Sequence, residues 1–223
     1  MYQMKNCPFC GGKLKGRRCA YCVRDACTDD HVIPTSLYPT SKNESRVQRI
    51  TVPACCRCNG GWSSDEAHFR NMLLISGDRT SVVSELWEGP TQRSFTKVDG
   101  GKRVRDLVAQ MVPVQTPQGA RYMVYPGRDE RVLRIVRKIV RGLCHYHELL
   151  SPVTGGQVLA DVQKFEIAPE FLIEMTSAHV EEDVLQYRFG VIEDSDIHSG
   201  WLLQFFTRTP FLCIVYHRPQ TQG

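Results

Sequence analysis

Helical spacing of apolar side chains marks two main segments of this chain. After Ser63, the residues Phe69, Leu73 and Leu74 fall on one face of a helix that Gly77 ends, and Ser63 with Glu66 three residues on has the form of a capping box. From Asp129 to Leu150, Leu133, Val136, Ile139, Val140 and Leu143 make one stripe of a longer amphipathic helix. Its other face carries Arg134, Arg137, Lys138 and Arg141, a spacing that suits either a solvated face or a track for phosphates. Shorter helices are expected over Thr80 to Trp87 and Arg103 to Val112, the second stopped by Pro113.

Elsewhere the period is two. Alternating apolar residues predict strands at Arg121 to Tyr125, Val184 to Ile192, Trp201 to Thr207 and Phe211 to His217, the last two joined across Arg208, Thr209 and Pro210. Residues 78–223 therefore read as an α+β body with an antiparallel sheet, supporting the first 77 residues or recognising a substrate. Internal repeats and low-complexity tracts are absent.

Composition narrows the class. In 223 residues, 42% hydrophobic content is enough for a real core, and no apolar run approaches the roughly 18 to 20 residues of a bilayer helix. Met1 to Gly12 lacks the apolar centre of a signal peptide, so a cytoplasmic protein without a membrane partner is expected. The net charge of +4 is uneven: residues through Ser63 carry +6 and the remainder −2. A basic module on a near-neutral body suits a binder of the phosphate backbone, although surface lysines and arginines also serve solubility.

Cysteines supply the strongest signal. Eight of ten lie between Cys7 and Cys58, and six of these form the Cys-x-x-Cys pairs Cys7/Cys10, Cys19/Cys22 and Cys55/Cys58. Two intervening residues let both sulfurs reach one ion, and in a chain without an export signal such density points to zinc thiolates rather than disulfides. Three pairs exceed one tetrahedral site and fall short of two. Either Cys7/Cys10 and Cys19/Cys22 close a local ribbon with Gly11 and Gly12 at its turn, or Cys19/Cys22 and Cys55/Cys58 hold a structural Zn2+ that clamps the segment between them. The second is favoured, because that segment has few large apolar side chains to hold its shape. It leaves Cys7 and Cys10 as further zinc ligands only if Cys27 or Cys56 joins them. Cys144 and Cys213 sit in apolar surroundings and read as core thiols.

Between the second and third pairs runs Thr28-Asp-Asp-His-Val-Ile-Pro34. Hydrolysis of a phosphodiester needs a deprotonated water and a cation to absorb charge on the phosphate. His31 can take the proton of a water, and Asp30 can offer a hard oxygen to a divalent ion. Successive residues of a strand face opposite ways, so a bend between them is expected if both address one phosphate. Asp29 reads as a solvated neighbour. His145 and His147, two apart on a helix, point in different directions and are not read as a metal pair.

An Asp-His-x-Ile-Pro string with Cys-x-x-Cys upstream and Cys-x-x-Cys-Asn downstream resembles the four-cysteine branch of the HNH endonucleases, over roughly Cys19 to Leu74. The resemblance implies a zinc-stapled ββα-metal module, residues 1–77, in which a β-hairpin and a helix surround one catalytic ion and zinc is a separate structural ion. By the same resemblance Asn59 is the second ligand, with Asp30, of a catalytic Mg2+ or Mn2+, and His31 is the general base. The middle asparagine usual in that family is absent, Ile50, Thr51, Val52 and Pro53 standing in its place. A backbone carbonyl or Asn43 is left to orient His31. Glu66 and His68 lie close enough to Asn59 in sequence to add a ligand, against plainer roles as a cap and a surface residue.

The expected activity is therefore endonucleolytic hydrolysis of nucleic acid, most plainly DNA. A double-strand break would require two such sites, so a homodimer stays open. The rival is a non-catalytic zinc-ribbon module that binds nucleic acid, in which Asp30, His31 and Asn59 would have no physical need to stand where they do.

Overall fold

A computed structural model describes residues 6–42, 49–76, 80–115, 119, 121–125, 128–181, 183–207 and 209–220. Asn43 and Gly77 lie outside these. The first elements are two short strands, β1 (Thr28–His31) and β2 (Thr51–Ala54), paired antiparallel with Thr28 opposite Ala54 and His31 opposite Thr51. A one-turn helix α1 (Cys56–Asn59) follows, then α2 (Ser63–Ser76).

The next stretch is helical. It comprises α3 (Ser81–Leu86), a π-helical turn over Trp87–Thr91, α4 (Gln92–Phe95) and α5 (Gly100–Val108). Thr80 caps α3 by accepting the Val83 N–H. The second short helix thus starts three residues earlier than its apolar spacing suggests and stops at Val108. Val112 belongs instead to a hairpin, β3 (Val112–Gln115) with β4 (Arg121–Val124).

Helix α6 (Glu130–Tyr146) runs through the centre. Asp129 caps it by accepting the Arg131 N–H, and it ends four residues before Leu150. Helix α6 packs mainly against α2 and Val158–Val162, with further contacts to β2 and Thr209–Tyr216. Gly142 sets its approach to the segment after β1: a Cβ there would meet the Val32 side chain at 2.7 Å. Beyond it come β5 (Val158–Val162), α7 (Pro169–Ile173), β6 (Thr176–Val180), β7 (Leu185–Val191), β8 (Ile197–Phe205) and β9 (Thr209–Tyr216).

These five strands form one antiparallel sheet in the order β5-β9-β8-β7-β6. Trp201, Leu203 and Phe205 alternate inward from β8, and Phe211, Cys213 and Val215 from β9. Phe69 of α2 meets Phe205 edge-on, ring centroids 5.2 Å apart. One buried apolar cluster consequently runs from Cys19 and Val52 of the N-terminal segment through α2 and α6 to the sheet. The architecture is α+β with antiparallel sheets. Among the described residues no helix is long and apolar enough to cross a membrane.

Candidate functional site

The cysteines gather into two tetrads. Cys19, Cys22, Cys55 and Cys58 form one, and Cys7, Cys10, Cys27 and Cys56 the other, all four sulfurs of each lying within 4.8 Å of one another. In the first, Cys22 Sγ lies 3.8 Å from Cys55 and 3.6 Å from Cys58. In the second, Cys7 and Cys56 are 3.8 Å apart and Cys10 and Cys27 3.7 Å. A tetrahedron with zinc–sulfur bonds of about 2.3 Å has edges of about 3.8 Å, so donor chemistry and spacing both fit one Zn2+ in each tetrad.

Local backbone explains the fit. The N–H of Tyr21 points at Cys19 Sγ and that of Cys56 at Cys27 Sγ, at 3.4 and 3.2 Å. N–H groups of Phe9 and Cys10 hold the Cys7 thiol down at about 7. The two sets interleave in sequence, because consecutive residues at the start of α1, Cys55 and Cys56, serve different tetrads. This turn therefore ties the first tetrad to the second, and both to the end of β2. Arg141 lies beside the first set. It is largely buried and donates to the carbonyls of Tyr21 and Val153, each at 2.7 Å; burial lowers its pKa, opposed first by Tyr21 and then by Cys58, Cys19 and Cys22. Four thiolates around Zn2+ carry a formal charge of −2, which gives a buried guanidinium a reason to stand there.

Strand β1 carries the Asp-His pair. Asp30 turns inward and is 5% exposed. Tyr21 Oη donates to its Oδ2 at 2.7 Å, and Lys138 Nζ lies 3.2 Å from Oδ1 and 3.0 Å from Oδ2. The same ammonium donates to the His31 carbonyl at 3.1 Å and to Glu66 Oε1 at 2.8 Å. Burial raises the Asp30 pKa, against the pull of Lys138 and Tyr21. His31 is half-buried at the strand's end, and its Nδ1 is enclosed without a hydrogen-bond partner. Asn59 Nδ2 donates to Thr28 Oγ1 at 3.0 Å and the Asp29 carbonyl at 3.1 Å, at the opposite end of the strand. Exposed Asp29 pairs with Lys15 and Arg17.

Asp30 and Asn59 thus have separate partners, and both oxygens of Asp30 are already bonded. As arranged, these residues do not fit a divalent ion. Glu66 serves as a carboxylate for Lys138. His68 is neither surface nor ligand: its Nε2 lies 2.8 Å from Asp129 Oδ2 and 2.9 Å from Tyr125 Oη, inside a network that Arg131 and Gln110 complete. His145 and His147 turn to Ser151 and Tyr187. Cys144 and Cys213 are fully buried in the core.

Lys138 is the residue the sequence did not disclose. Its spacing places it with Arg141 on the polar face of α6, whereas both are buried. The available signal was its position between Ile135 and Gly142 on a helix enclosed nearly all round. Arg134 and Arg137 do stay at the rim, paired with Asp65 and Glu130. No known family, curated protein or solved structure matches the chain.

Proposed function

We propose that this chain is an HNH-type endonuclease that hydrolyses phosphodiester bonds in nucleic acid, DNA first, with His31 as the general base. One observation carries the reading. The Asp30-His31 pair stands on the first strand of a hairpin that is followed by a helix, and two cysteine tetrads suited to zinc brace the end of the hairpin where Thr28 meets Ala54. A purely structural ribbon needs the cysteines alone. The chain's basic N-terminal charge also favours an anionic polymer.

Zinc supplies structure here, holding β1 and β2 against α1 and α2. The resemblance gives Asp30 and Asn59 to a Mg2+ or Mn2+, but Lys138 occupies the cation position beside Asp30, and both carboxylate oxygens are already bonded. Lys138 fixes the backbone carbonyl of His31 and the Asp30 carboxylate, and thereby the strand that carries the imidazole.

The same ion pair favours a second reading, a zinc-braced module that binds nucleic acid without cutting it, in which Asp30 is simply a counter-ion of Lys138. Labelled single- and double-stranded DNA and RNA, incubated with the zinc-loaded protein in magnesium or manganese, separate the two. The nuclease reading expects internal cuts by wild type and none by His31→Ala. Binding of these probes without cuts by either protein would favour the second.

A further inference from the structure

Beside the turn between α1 and α2 lies a cleft of about 490 Å³, walled by Arg134, Arg137 and Arg141 of α6, by Trp62, and by Leu159 and Tyr216 of the sheet. None of its lining residues is acidic. Arg134 reaches out to Asp65 at 2.8 Å and Arg137 to Glu130, both acids standing outside the lining. Arg141 is 8% exposed and has no carboxylate partner among the described residues; its donors meet only backbone carbonyls. The indole N–H of Trp62 is enclosed and has no acceptor.

Three guanidinium groups at positions i, i+3 and i+7 of one helix span about 10 Å of its axis, enough to meet more than one phosphate of a strand spaced about 3.4 Å per nucleotide along a duplex axis. Guanidinium is the side chain whose planar fork matches phosphate oxygens. Two aromatic side chains, Trp62 and Tyr216, line the same cleft, and aromatic rings are the side chains on which bases stack. A small inorganic anion would need the arginines and leave the aromatic walls without a role.

We propose that this cleft binds one strand of nucleic acid, its phosphates against Arg134, Arg137 and Arg141 and a base against Trp62. The proposal gives the nuclease reading its substrate track and rests on that reading for its purpose, but binding can be measured apart from cleavage. It also divides the arginine face of α6: Lys138, one residue from Arg137, turns away to Asp30.

The experiment is fluorescence anisotropy of a fluorescein-labelled single-stranded DNA oligonucleotide with zinc-loaded, full-length protein, without added magnesium or manganese, across a sodium chloride series. Arg134→Gln/Arg137→Gln is expected to weaken binding by about tenfold or more, and to flatten the salt dependence by about 1.4 in log–log slope, the loss of two phosphate contacts on a single strand. Leu159→Glu tests the cleft at a side chain that is already 55% exposed and makes none of the site's hydrogen bonds; a carboxylate there is expected to weaken binding too. Arg128→Gln, at a site outside the cleft, is expected to bind as wild type. Wild-type affinity and slope in both cleft variants, with zinc content preserved, would overturn the proposal. So would complete displacement of the oligonucleotide by a nucleoside monophosphate near the oligonucleotide's own dissociation constant, which would make this a small-ligand site. Failure to cut any substrate, with these binding dependences intact, would count against the nuclease reading alone.

Discussion

The ammonium of Lys138 lies 3.0 Å from one carboxylate oxygen of Asp30, on a side chain only 1% exposed, and joins α6 to β1. Its second carboxylate partner, Glu66, comes from α2, so a single cation holds the first strand, the following helix and α6 together. Two carboxylates facing one ammonium leave a formal charge of −1, and Tyr21 adds a neutral donor to Asp30.

Removing that cation should be costly. Lys138→Met leaves Asp30 buried without its ion-pair partner, a loss expected to be about 3 to 5 kcal/mol. Adding Asp30→Asn should recover much of it, because the neutral amide still accepts from Tyr21. Chemical denaturation of the three proteins measures both effects. A wild-type midpoint for Lys138→Met would mean that the ammonium is not the tie described here.

Metal analysis should find two zinc ions per chain. Cys58→Ser and Cys27→Ser disturb different tetrads, so each is expected to release one ion and retain the other. Loss of the Cys58 tetrad should unfold the hairpin first, since Cys22, Cys55 and Cys19 bracket it. One zinc in wild type would dissolve one of the two tetrads.

Acid should act through His68. Burial lowers its pKa in the fold, with Arg131 helping and Asp129 opposing. The neutral ring is therefore the form the fold prefers. Its contribution to stability is full above the unfolded value of about 6.5 and is lost as pH falls through that value toward the folded one. Asp129, whose pKa is lowered mainly by Arg131 and Tyr125 against burial, adds a second loss below about 3.9. The difference in unfolding free energy between wild type and His68→Gln should consequently shrink between about pH 7 and pH 5. A difference that stays constant with pH would remove His68 from the acid response.

Close packing at Gly142 gives a further check. Ala at this position improves intrinsic helix propensity by up to about 1 kcal/mol, yet its Cβ meets Val32 at 2.7 and 2.9 Å. Overpacking of this kind costs about 1 to 3 kcal/mol, so Gly142→Ala should be destabilising and Val32→Ala should partly relieve it. Thermal unfolding of the single and double variants decides the sign.

Much of the fold was legible where side-chain period and structure agree. The β7, β8 and β9 strands follow clean alternation, and α2 and α6 follow their apolar stripes to within a few residues. The pairing of Cys19/Cys22 with Cys55/Cys58 could be read from mechanics alone. Cys27 and Cys56 were harder to place: neither sits in a Cys-x-x-Cys pair of its own, and only the turn at Cys55-Cys56 shows how adjacent thiols face different ions. Strands β5 and β6 escaped because each is five residues long and their outer residues are mixed in polarity. Lys138 escaped for a different reason. Charged residues on an amphipathic helix are ordinarily solvated, and the carboxylates that draw this one inward are more than seventy positions away in sequence.

The most direct test of the nuclease reading is a time course of supercoiled plasmid with zinc-loaded wild type and His31→Ala in magnesium or manganese. Wild type should nick or linearise the plasmid, and His31→Ala, with both zinc ions retained, should be slower by about 10² to 10⁴, the range expected for loss of a general base. Equal cleavage by both proteins would remove His31 from the chemistry. An intact plasmid with both, together with retained DNA binding, would contradict the nuclease reading and leave a zinc-braced nucleic-acid-binding protein.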